Sequence, residues 1–264
     1  MNWTSIFDKL LDPYDVKARL FPGLLVLLPA TLYLALLFGT KSPVVIGLST
    51  VLVACGGPYL LASFVRTRGQ RAQERLFLRW GAQPSTMLLR HRDSTLPAQT
   101  KRRYHEMAAS RLGIAMPSAE EELRDPAHAD LTYAAAADAL RPLTNDRRVS
   151  PFVFKELVAY GFNRNSHGSR WVGLCVAVVT IVATLAQASA LHLRPAGWDA
   201  SALDNGHIVV LVSALAMAIL WCAHFTGETV QLAGFSYAKR LWEALDQVPK
   251  KPSRVQRKTS ESTT

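Results

Sequence analysis

Cysteine is scarce in this chain, acidic residues are outnumbered, and long stretches carry no charge at all. The three cysteines, Cys55, Cys175 and Cys222, are too few and odd in number for a disulfide framework. No Cys and His spacing suits zinc. All three cysteines fall inside apolar blocks, where small apolar packing is the expected role. Catalytic motifs are missing as well: there is no G-x-S-x-G, no phosphate-binding glycine loop and no H-E-x-x-H. His91, His105, His128 and His167 read as surface or hydrogen-bonded residues rather than general bases. The acidic run Glu120–Asp125 reads as helix capping, not as a metal site. No enzyme activity, catalytic residue, metal ligand or cofactor is expected.

What is present is a set of four uncharged apolar blocks. They run from Leu20 to Phe38, from Pro43 to Val65, from Trp171 to Leu191 and from His207 to Phe225. Each is long enough for a helix to cross a hydrocarbon core of about 30 Å. Lipid offers backbone groups no partners, so helix is the expected form. The first block is too long for a cleaved signal peptide, and another block follows it at once. Gly56, Gly57 and the Ala-rich third and fourth blocks favour close helix packing. Polar content there is light, with Thr180, Thr184 and Gln187 on the third block.

Charge sets the orientation. Of the 30 Lys and Arg residues, only Lys41 and Arg194 fall on one side of the blocks. Close to the blocks, Arg66, Arg68, Arg71, Arg75, Arg164 and Arg170 carry the same bias, which places the basic side in the cytoplasm. Trp171 marks a membrane boundary, and Trp198 lies in the outer loop near it.

The expected architecture is therefore all-α and integral to the membrane, two transmembrane helical hairpins flanking a small helical cytoplasmic domain. Its segments are 1–19, cytoplasmic; 20–65, first hairpin; 66–170, helical domain; 171–225, second hairpin; 226–247, amphipathic helix; and 248–264, disordered basic tail. The bacterial inner membrane is the expected location, with both termini cytoplasmic. Within 66–170, Arg66–Trp80 extends the second span. A helix starts near Pro97, capped by Ser94 or Thr95, and Gly113 ends it. Ser118 and Glu121 form a capping box. A helix opening at Pro126 stops at Pro142, and one opening at Pro151 closes at Gly161. The helix over Gly227–Leu245 lies on the membrane surface or packs on a neighbour.

The densest polar stretch, Arg79–Met107, holds the candidate ligand site: Arg90, His91, Arg92, Lys101, Arg103, Tyr104 and His105. Guanidinium groups grip phosphate through paired donors, and an aromatic ring stacks on a base, with Tyr104 or Trp80 in that role. The ligand expected there is a nucleotide or oligonucleotide. The competing reading is ordinary cytoplasmic basicity with local ion pairs, such as Arg90 or Arg92 with Asp93. A second stretch, Leu143–Arg170, offers Arg147, Tyr160, Arg164 and Asn165 as a coupling joint to the third span, against a bland reading as helix stop and interfacial anchor.

The words RWGAQPST, LRHRD, TKRRYH, DPAHAD, LTNDRR and VAYGFNRNSHG resemble an uncharacterised bacterial family of four-span membrane proteins. Through it the chain resembles membrane effectors of nucleotide-signalled anti-phage defence, of the Hailong type. The resemblance spans roughly residues 71–170 and the flanking hairpins. It implies a homo-oligomeric channel in the lipid bilayer that senses a nucleic-acid signal made by a partner nucleotidyltransferase. It assigns no ligand residues. Two other classes remain open from the residues: a non-enzymatic scaffold binding lipid heads or an acidic partner, and, least favoured, a membrane enzyme.

Overall fold

The structure is a computed structural model that describes residues 12–39, 42–144, 147–191 and 203–249. Lys41, Arg194 and Trp198, expected in outer loops, the basic tail from Lys250 and the first eleven residues lie outside that set. Among the described residues every regular element is helical. We number them α1 (Pro13–Phe38), α2 (Pro43–Ala54), α3 (Gly57–Trp80), α4 (Pro84–Met87), α5 (Ala98–Leu112), α6 (Ala119–Arg124), α7 (Pro126–Thr144), α8 (Pro151–Leu191), α9 (Asn205–His224) and α10 (Gly227–Glu243). A short 3-10 turn, Ala244–Gln247, follows α10.

Three helices, α1, α8 and α9, are long and apolar enough to cross a membrane. The second apolar block is not one helix. Cys55 and Gly56 divide it, and Gly56 adopts φ +79°. The sequence CGGP explains the break. A left-handed glycine ends α2, and Pro58 lacks the N–H that would continue its ladder. Gly56 therefore terminates a helix; nothing lies within 4 Å of a Cβ placed there, so it serves no close contact.

Two boundaries moved in the other direction. α8 runs 41 residues without stopping at Gly161, so the third apolar block and the helix before it are one rod of about 60 Å. α7 passes through Pro142 to Thr144. By contrast, Ser118 and Glu121 make both arms of the capping box, and Gly113 ends α5 at φ +71°. Pro97, not Ser94 or Thr95, occupies the N-cap of α5.

The chain divides into two compact units. The apolar unit comprises residues up to Leu76 and Val158–Val230. The polar unit comprises Phe77–Leu157 and the chain from Gln231 onward. The segment 226–247 is helical over Gly227–Glu243, and most of it belongs to the polar unit, where Tyr237, Leu241, Trp242 and Leu245 are buried. The Trp242 indole N–H donates to the Ser85 carbonyl at 2.9 Å. These side chains of α10 and the turn after it are spent on this core, while Leu232 stays exposed.

In the apolar unit, α1 and α8 run the same way. Ala18 meets Asn165 near one end, and the Tyr33 hydroxyl donates to the Ala183 carbonyl at 3.4 Å near the other. α9 runs opposite to α1, with Leu36 against Gly206, and Val26 clustered with Met217 and Trp221. The chain leaves α1 at Gly39 and is back beside Gly23 by Leu61. Large aliphatics such as Leu24, Val53, Val179, Val182, Val212 and Leu215 point outward, while Ala177, Thr180, Thr184 and Ala214 are buried. That outward display suits lipid, where small residues let helices approach closely, and it stands beside one buried cluster of large side chains, Val26, Met217, Trp221 and Phe225. The three cysteines are exposed and unpaired, so they do not supply internal packing.

Candidate functional site

The residues expected to bind or couple gather in two polar constellations, one in each unit. In the polar unit, the turn after α4 and the helices α5, α6 and α7 bring together Arg90, His91, Arg92, Lys101 and His105. At the centre is Glu122, whose side chain is 3% exposed. It accepts the His91 amide at 2.7 Å, the Tyr133 hydroxyl at 2.8 Å, and both the amide and the guanidinium of Arg92 at 3.3 and 2.9 Å. Burial alone would raise this carboxyl, but those donors outweigh it and hold its pKa below the ordinary value. The same contact and burial push the Tyr133 hydroxyl well upward, so it stays a donor.

Asp130 on α7 is the second anchor. Arg90 grips it through two bonds of 2.7 Å, and Arg92 through bonds of 3.0 and 2.9 Å. The ion-pair partners of these arginines are thus Asp130 and Glu122. Asp93, expected as the local partner, instead accepts the Thr95 amide at 2.8 Å. Lys101 is buried, and its ammonium donates to the carbonyls of Arg90, His91 and Asp93. It pins the turn rather than facing solvent. His105 donates to the Leu89 carbonyl at 2.9 Å and stacks on Tyr133, with His91 edge-on at 4.8 Å. Burial, first among the causes, lowers its pKa and keeps the ring neutral.

Arg103 and Tyr104 do not join this cluster. Arg103 pairs with Asp246 beyond α10, and Tyr104 is buried in the core, so its ring is closed to a stacking base. Burial, then the Glu243 charge, raise the Tyr104 hydroxyl pKa. Of the seven predicted residues, Arg92 keeps the most accessible charge within the cluster, its side chain 41% exposed.

The second constellation lies in the apolar unit and collects three of the four coupling residues. Arg164 stacks over Tyr160 and donates to Gln73 at 2.9 Å and to the Asn165 side-chain oxygen at 3.2 Å. Fully buried Asn165 donates to the Ala18 carbonyl at 2.6 Å. Ala18 sits in a π-helical turn, Val16–Leu20, where the wider ladder departs from α-helical pairing. A second π turn, Leu220–His224, precedes Phe225, whose carbonyl lies 2.9 Å from the His167 ring nitrogen Nδ1. Arg147 belongs instead to the polar unit, over the Phe154 ring. Gly168 allows the crossing of α3 and α8: a Cβ there would lie 2.6 Å from the Arg68 backbone.

Sequence reasoning missed the roles of Glu122, Asp130, Tyr133 and Gln73, and it read His167 as a surface or hydrogen-bonded histidine, which its contact with Phe225 bears out. The acidic residues were visible as charges, but nothing local linked them to arginines 30 to 40 positions away. Comparison with family models, with curated proteins and with solved structures returns no match for this chain.

Proposed function

We propose that the chain is a four-crossing membrane effector, acting without covalent chemistry, whose polar unit answers a phosphate-bearing signal in the cytoplasm. Continuity of the helices carries this reading. α3, α8 and α10 each pass without a break from the apolar unit into the polar one. Those shared helices are the elements through which a change in the polar unit acts on the spans. The fourth crossing is α2 with the first turns of α3, broken at Gly56. Its support is the return of the chain from Gly39 to the side of Gly23, and broken helices are tolerated in membranes when neighbours surround them. With four crossings both basic ends stay on the cytoplasmic side, as charge bias requires.

The signal's chemistry follows from Asp130. One carboxylate holds two guanidinium groups, and a phosphate presents more charge and more acceptors. A nucleotide or oligonucleotide competing for Arg90 and Arg92 releases α7 from the turn at residues 90–93. Exposed Leu123, Leu131 and Phe152 on the polar unit support self-assembly into a pore. The resemblance to nucleotide-signalled defence effectors, with a partner nucleotidyltransferase as the source of signal, fits this scheme.

Proteoliposomes loaded with a dye test it. Leakage on adding short oligonucleotides, abolished by Arg92→Gln and occurring at lower concentration in Asp130→Asn, is expected. Vesicles that stay tight with every oligonucleotide would sink the proposal. A scaffold reading is favoured by one observation: the donors of Arg90, His91, Arg92 and Lys101 already have internal acceptors. Under it, Asp130→Asn lowers stability and no oligonucleotide binds.

A further inference from the structure

A cavity of about 390 Å³ opens in the apolar unit, within the range of about 300–1,000 Å³ typical of small-ligand pockets. The start of α1 and the early turns of α3 line it. Asp12 and Asp15 supply negative charge, Arg19 and Arg66 positive charge, and Ser63 and Tyr59 hydroxyl groups. Several donors and acceptors there are uncommitted. Arg66 makes no hydrogen bond or ion pair among the described residues, and its charge acts on Asp15 only through space. The Arg19 Nε is buried without a partner, although its terminal nitrogen pairs with Asp15. Asp12 Oδ1 accepts the Tyr14 amide at 3.0 Å, which leaves Oδ2 free among the described residues. Beyond this polar ring the same helices expose Leu24, Leu60 and Phe64.

We infer that this cavity holds the headgroup of a phospholipid carrying a primary amine, with the phosphate on Arg66 and Arg19 and the ammonium on Asp12 and Asp15. A simple anion would meet two carboxylates, and a simple cation two guanidinium groups. A group bearing both charges satisfies each pair. A primary ammonium has three N–H donors to offer the carboxylates, whereas a trimethylated amine has none. The latter prefers aromatic faces; the Arg19 guanidinium covers the Tyr14 ring at 5.2 Å, which leaves Tyr59 to offer one, against two carboxylates that only an N–H donor can use. The exposed aliphatic and aromatic surface above the ring suits an acyl chain. The inference rests on the proposed membrane orientation, which puts this end of α1 at the cytoplasmic headgroup layer.

The test uses delipidated full-length protein in detergent, titrated with dioctanoyl phosphatidylethanolamine, phosphatidylcholine and phosphatidylglycerol, with bound lipid counted by native mass spectrometry. Phosphatidylethanolamine binds about tenfold more tightly than the other two, as one lost charge-assisted contact implies. Arg66→Gln weakens both phosphatidylethanolamine and phosphatidylglycerol, and Arg66→Lys restores part of the loss. Asp12→Asn weakens phosphatidylethanolamine alone. Circular dichroism stays unchanged, because both side chains are exposed. Equal binding of the three lipids overturns the inference, as does indifference of phosphatidylethanolamine to Arg66→Gln. Soluble glycerophosphoethanolamine competing at equal concentration would overturn the lipid assignment. Protein released from membranes by alkaline carbonate defeats the membrane reading itself; protein that needs detergent yet shows no headgroup preference defeats only the site.

Discussion

The two units solve the burial problem in opposite ways. The polar unit hides Leu88, Leu140, Leu241, Tyr133 and Trp242 and keeps most of its charge outside. The apolar unit hides Asn165, Ser169, Thr180 and Thr184 and turns many of its valines and leucines outward, although Val26, Val65 and Val210 are buried. Solvent explains the contrast. In water, removing aliphatic surface drives the helices together. In lipid it gains little, so helices meet where small residues permit contact or where a side chain finds a backbone carbonyl. The Tyr33 hydroxyl on the Ala183 carbonyl is a contact of that kind. Glu122 shows that the polar unit buries charge too, at a position where four donors converge.

Trp242→Ala attacks the contrast at its most aqueous point and has the largest expected effect. The fully buried indole fills the core, and its loss costs about 3–5 kcal/mol. Limited proteolysis should then cut within residues 77–157 at lower temperature. Detergent-protected fragments of α1, α8 and α9 should survive; their simultaneous loss would mean that the two units do not melt separately. Glu122→Gln comes next. It removes a charge that anchors Arg92 and weakens a bond from Tyr133, at about 1.5–3 kcal/mol. Thermal melting of the purified protein measures it, and an unshifted transition would show that the buried charge contributes no net stability.

Gly168→Ala probes the other side of the contrast. The added methyl meets the Arg68 backbone, which must shift, at a cost of about 1–3 kcal/mol in the apolar unit. The proteolytic pattern of the polar unit should not change. The smallest effect is that of pH. His105 has a lowered pKa in the folded protein, so its stability contribution is whole above the ordinary value of 6.5 and is lost as pH falls toward the folded value. Glu122, also lowered, adds a second loss below its ordinary 4.5. The melting temperature of the polar unit should fall across the first window, and His105→Gln should flatten that first step without touching the second.

Some of this was legible in the residues. Charge-free blocks announced the apolar helices, because a length of about 20 uncharged residues has few other uses. Ser118 with Glu121, and Gly113, marked helix ends through bonds confined to a single turn. Gly161 misled, because a glycine that stops a surface helix looks the same as one that admits a neighbour. Here a Cβ would meet the Tyr14 hydroxyl at 2.9 Å, so the residue serves packing and α8 continues. CGGP was read as a packing motif and is a helix break. The cluster around Arg90 and Arg92 was found, and its use was not, since Glu122 and Asp130 arrive from helices that sequence spacing cannot place.

By itself, then, the sequence determined the helical class, the apolar segments and the concentration of basic charge outside them. These depend on composition and on interactions within a few residues of one another. Only the tertiary structure decided which charges are spent internally, which helices run on from one unit into the other, and where uncommitted arginines and carboxylates face a common cavity. Those outcomes depend on contacts between residues far apart in the chain, and neither period nor composition encodes them.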